Sequence, residues 1–301
     1  MRVPLLSHAR AMLLALAVSG TDAAAQAPPA TDIFLAPLSQ RDGRLVVGAA
    51  RNLTERSGYD NQPSWSPDGH AIFFTAQANG QTDIYRLEPA SGTLSRVTET
   101  APESEYSATV TPDGRAISVI RVERDSTQRL WRVPLAGGPS TVILEHVKPV
   151  GYHAWADSVT LALFVLGSPN TLQVADTRTG RADTAGTSIG RSLHRIPGQR
   201  LVSFVHKASR DEWWLAVLDP YSRSVERMVR MPAGVEDYAW TPEGIAIAGD
   251  GSTLKAYDPR RRGGWETIAD LASSGLGEIT RLAVSPRGDA IAIVAVPAAR
   301  P

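Results

Sequence analysis

The chain has 301 residues, with 31 Lys and Arg against 31 Asp and Glu, six His and no Cys. A hydrophobic share of 43% with 25 Gly and 21 Pro describes a folded globular protein that reverses direction often. These figures exclude a disulfide scaffold, a thiolate metal site and a cysteine nucleophile, and the balanced charge provides no basic excess for binding nucleic acid.

The first thirty residues read as an address. Arg2 and Arg10 supply positive charge, Ala11 to Val18 is a short apolar core, and Ala23-Ala24-Ala25 offers small residues for cleavage before Gln26. This pattern predicts a secretory signal peptide over 1–25 and a Pro/Ala-rich linker over 26–30, with an uncleaved anchor as the alternative. The apolar core is shorter than the roughly 20 residues that a membrane helix needs. No later segment is apolar enough to span, so the expected location is the periplasm or the exterior.

From residue 31 a repeat organises the chain. It returns as P-S-W-S-P-D-G at Pro63 to Gly69, A-T-V-T-P-D-G at Ala108 to Gly114, Y-A-W-T-P-E-G at Tyr238 to Gly244 and L-A-V-S-P-R-G at Leu282 to Gly288. Decayed copies lie at His153 to Val159 and around Ile196-Pro197-Gly198. The anchors Pro67, Pro112, Asp157, Pro197, Pro242 and Pro286 are separated by 45, 45, 40, 45 and 44 residues. Each unit resolves into four strand-like runs, in the first Gln62 to Ser66, Ala71 to Thr75, Asp83 to Leu87 and Thr93 to Thr98. No sustained helical periodicity appears.

Four antiparallel strands per unit and six units predict an all-β, six-bladed β-propeller over 31–301. The last repeat has only one strand, Ala290 to Val296, after its turn. Thr31-Asp32-Ile33-Phe34 repeats Thr82-Asp83-Ile84-Tyr85, and Asn52-Leu53-Thr54 matches Arg96-Val97-Thr98. The N-terminal runs are therefore expected to complete the C-terminal blade and close the ring as a monomer.

Trp65-Ser66-Pro67-Asp68-Gly69, Ile72-Phe73-Phe74, Asp83-Ile84-Tyr85 and Val97-Thr98 together resemble the repeat of the TolB-like propeller family. The resemblance covers residues 31 to 296 and is to the propeller repeats alone, without the α/β domain that TolB carries ahead of them. It implies a non-catalytic scaffold that binds an envelope protein or peptide, as relatives bind a peptidoglycan-associated lipoprotein. The alternative is a lyase or hydrolase acting on a sugar or lactone at the channel mouth.

Local chemistry is sparse. Asp68, Asp113 and Glu243 are expected to serve their turns. Gly186-Thr187-Ser188-Ile189-Gly190 matches G-x-S-x-G, but it falls in a link between blades, with no helix to make a nucleophile elbow. No cofactor motif is present, and His153 and His194, on adjacent blades, are the only candidates for a metal. Propeller closure is expected to gather the starts of the innermost strands at one mouth: Asn61, Glu105, Tyr106, Tyr152, His153, Arg191, Glu236, Asp237, Tyr238 and Glu278. These are the candidate partner-binding residues.

Overall fold

The computed structural model describes residues 30–298. The predicted signal segment and all of the linker except Ala30 lie outside those residues. Five sheets have four strands each, and a sixth joins the two chain ends. The innermost strands are Asp60–Trp65, Ser104–Val110, Val150–Trp155, Ile189–Arg195, Tyr238–Trp240 and Leu276–Val284, which define blades 1 to 6. Each contacts the next around the ring, and blade 6 contacts blade 1. The helical content among the described residues is one 3-10 turn, Ala272–Ser274.

Closure follows the expected plan with one difference. Asp32–Arg41 runs antiparallel to Ala290–Pro297, with Ile33 opposite Val294 and Leu35 opposite Ala292. The fourth position is split, because the chain turns at Asp42-Gly43 and supplies two short pieces, Arg44–Val47 and Arg51–Asn52. Gly43 takes a φ of 71°, a conformation a side chain would disfavour. A sheet sealed at its ends has no exposed inner edge through which the ring could open.

The second strand of each blade reads as an apolar run because both its faces are covered. In Ile72–Ala78, Ile72, Phe74 and Ala76 pack back against blade 6, while Phe73 faces blade 2 with Ile84. The same division recurs around the ring, so the core consists of six hydrophobic clusters, one in each seam between blades.

The acidic turn residues act locally. Ser66 Oγ lies 2.6 Å from Asp68 Oδ1, which also accepts from the His70 amide, and Gly69 closes the turn at a φ of 71°. Thr111 and Asp113 repeat the arrangement, and these bonds hold the Asp113 carboxyl at about 2. Ser188 forms the one-residue link between blades 3 and 4, at a φ of 56°, and a strand follows it.

Candidate functional site

The channel is built from one repeat position. Counting five residues back from each anchor gives Gln62, Ser107, Tyr152, Ser192, Asp237 and Arg281, and all six line the central cavity. Strand alternation turns the next residue toward the seam, where His153 and Tyr238 bond the neighbouring blade while still bordering the cavity.

Within this ring the side chains bind one another across blades. Asp237 of blade 5 accepts from Arg191 of blade 4 at 2.6 Å and 3.2 Å, from Ser192 Oγ at 2.6 Å and from Arg281 of blade 6 at 3.1 Å. Arg281 also donates to the Tyr152 hydroxyl at 3.0 Å, so it reaches across the channel to blade 3. Burial opposes the charge on Asp237, but Arg281 and Arg191 outweigh it and hold the carboxyl below its ordinary range. Tyr59 lies against this brace on the side where the inner strands begin. Burial pushes its hydroxyl up to about 12, although Arg281 and Arg191 pull the other way.

On the opposite side of the brace is a cavity of about 510 Å³ that runs to the turns at Pro112 and Pro197. Its walls include Trp65, Trp155 and Trp240. Their indole N–H groups are occupied, by Ala283 O at 2.9 Å, Ser118 Oγ at 3.0 Å and Ser203 Oγ at 2.8 Å. The tryptophans therefore offer ring surface but no free donor.

His153 and His194 both line this cavity, and burial pushes each imidazole down to about 4. His153 Nε2 lies 2.7 Å from Ser118 Oγ. That hydroxyl has one proton and donates it to Thr109 O at 3.1 Å, so proton counting makes His153 the donor and leaves Nδ1 bare. His194 stacks edge-on against Tyr238 at 4.8 Å. Among the described residues no group of three or more His, Asp or Glu is arranged to hold a metal ion.

The remaining candidates divide among several places. Glu236 accepts from the Arg191 amide at 2.5 Å and from Lys207 at 3.2 Å. With exposed Glu278 it lines a second cavity of about 300 Å³, which shares Arg191, Asp237 and Arg281 with the first. Asn61 is buried, and its side chain lies 3.4 Å from Thr31 Oγ1. Glu105 is fully buried and bound by Arg121 at 2.8 Å, yet burial still raises its pKa against the pull of Thr100 and Arg121. Tyr106 packs on the cluster between blades 2 and 3. Tyr238 is buried and donates to Ser203 Oγ at 2.8 Å.

Reading the starts of the inner strands missed Arg281, Ser192, Gln62 and Ser107. The signal that finds them is the anchor-minus-five register, which needs only the repeat alignment.

No protein-family model matches the sequence. Solved structures do. A putative TolB from Agrobacterium tumefaciens superposes with a TM-score of 0.69 at 18% identity, covering 88% of this chain and 98% of that one. TolB from Acinetobacter baumannii gives 0.58 at 11% identity, over 88% of this chain and 64% of that one. An oligogalacturonate lyase in complex with manganese gives 0.55 at 17% identity, over 83% and 80%. The fold is a TolB-like six-bladed β-propeller. At these identities the likeness speaks for the fold alone.

Proposed function

We propose that this chain is an exported, non-catalytic scaffold that holds a protein or peptide partner of the bacterial cell envelope in its central channel. The observation that carries this reading is the brace, in which residues of four blades lock Asp237, Arg191, Arg281 and Tyr152 in fixed positions. A binding surface whose rotamers are already set loses little entropy on association. Charged groups held in ion pairs at its base, beside three tryptophan walls, suit recognition more than proton transfer. No helix among the described residues is long and apolar enough to cross a membrane. Residues 1–25 carry the export reading, and cleavage there leaves Gln26 at the N-terminus.

The test passes an envelope extract over the immobilised protein and repeats any capture with the purified partner at low and high salt. A saturable one-to-one complex is the expected result. An empty column at every salt concentration would count against the scaffold, and turnover of a sugar or lactone with a bound divalent ion would favour the enzyme. Sequencing the protein from a periplasmic fraction is expected to begin at Gln26.

A further inference from the structure

The charged side chains that line the 510 Å³ cavity are Arg191, Arg195, Arg281 and Asp237, three cations and one anion in a chain whose formal net charge is zero. The arginines are dispersed in sequence, and the propeller collects these three. Asp237 is shared by Arg191 and Arg281, while Glu236, 4.0 Å from Arg191, is matched by Lys207 at 3.2 Å. His153 and His194 add no negative charge. Arg191, Arg281 and Lys207 against Asp237 and Glu236 leave one positive charge over at the brace, in a confined space where a charge-assisted bond to an anion is stronger than at an open surface.

The chemistry along the cavity differs from that at its base. Trp65, Trp155 and Trp240 have their N–H groups committed, and Leu193, Val110 and Val284 add further apolar wall. The volume lies within the ~300–1,000 Å³ usual for ligand sites. A fitting ligand has apolar groups for these walls, polar groups for Gln62, Ser107 and Thr109 between them, and one planar anion at its leading end. Two forked guanidinium groups match the two oxygens of a carboxylate. The cavity reaches the turns at Pro112 and Pro197, and an extended chain entering there would bring its end to the brace.

We propose that the channel binds the C-terminus of a polypeptide, its free carboxylate against Arg281 and Arg191 and its last apolar side chains against the tryptophan walls. This rests on the scaffold reading and specifies what part of the partner the channel takes.

The experiment screens the purified full chain against short peptides randomised with apolar residues, prepared once as free acids and once as C-terminal amides. Free acids are expected to be retained and to shift tryptophan fluorescence, with the matching amides weaker by about ten-fold or more. Arg281→Gln is expected to lose the same factor. If that variant fails to fold, Arg191→Gln carries the test, because its side chain is 40% exposed. Equal binding of acids and amides, retention of neither, or binding undiminished in Arg191→Gln overturns the proposal. An envelope partner held equally by wild type and Arg191→Gln, and not displaced by free-acid peptides, would overturn it while leaving the scaffold standing. Free-acid binding without any envelope partner would support it and count against the scaffold.

Discussion

The seam between blades 2 and 3 and the seam between blades 4 and 5 are built on one plan with one exchange. In the first, Ser118 Oγ receives Trp155 Nε1–H at 3.0 Å and His153 Nε2 at 2.7 Å. In the second, Ser203 Oγ receives Trp240 Nε1–H at 2.8 Å and the Tyr238 hydroxyl at 2.8 Å. Each serine donates its own proton to a carbonyl of the inner strand of its own blade, Thr109 or His194. The geometry is the same, but only the first seam puts an imidazole on the shared serine; in the second, His194 lies edge-on against Tyr238 without bonding Ser203 through its ring. Burial raises the Tyr238 pKa further from neutrality, whereas it leaves His153 about to charge near pH 4.

Deleting the large ring should show how alike the two seams are. Trp240→Ala, 8% exposed in the native state, is expected to cost ~3–5 kcal/mol in denaturant unfolding, with Trp155→Ala slightly less because it is less buried. A much smaller loss at either site would mean that the seams collapse around the gap.

Acid should show what the imidazole on Ser118 contributes. Unfolded His153 titrates near its ordinary 6.5, and folded His153 only at about 4. Between those values the unfolded chain takes up a proton that the folded chain refuses, so stability falls as pH is lowered through this window and the loss levels off below it. The expected contribution is about 3 kcal/mol. His153→Gln, which keeps a donor for Ser118, should make that part of the profile shallower by the His153 share, leaving the share of His194, which burial also pushes down to about 4. An unchanged slope would assign the acid sensitivity to other groups.

Removing the shared acceptor comes next in size. Ser203→Ala strands the Trp240 and Tyr238 donors and is expected to cost ~1–3 kcal/mol at any pH from 5 to 8. Ser118→Ala should cost a similar amount at pH 7. Nothing comparable is expected in blade 1, where Trp65 donates to the backbone carbonyl of Ala283. There Thr75→Val removes the bond to Gln62 Oε1 at 2.8 Å and the one from the Ser107 amide at 3.2 Å, and because that amide keeps Gln62 Oε1 at 2.9 Å the cost should be only ~0.5–1.5 kcal/mol in the same assay.

Around the other seams the plan is kept by exchanging size. Phe73 occupies the register position of Ser118 and meets Ala108 and Val110 where blades 3 and 5 present His153 with Trp155 and Tyr238 with Trp240. Ile247 meets Leu282 and Val284, and Ala292 meets Trp65. Phe73 against Ala108 and Val110, and Ala292 against Trp65, exchange size across the seam so that the wedge is filled from one side or the other. The pattern was written in the repeats, but it is visible only once neighbouring copies are read against each other.

The sequence alone determined the number of blades, the class of fold and the closure of the ring, because the turns recur at nearly fixed spacing and strand patterning is local. Thr31 to Phe34 repeating Thr82 to Tyr85 was enough to place the N-terminus beside the last strand. It also identified Tyr152, Arg191 and Asp237, since the starts of inner strands can be counted. Only the tertiary structure joined Arg281 to them, split the fourth strand at Gly43 and turned Glu105 into a seam between blades. It also set two arginines, Arg191 and Arg281, on one carboxylate in a chain that is neutral overall. Charge balance and pairing depend on distances across the channel, and residues 129 positions apart, such as Tyr152 and Arg281, meet only after six sheets have packed.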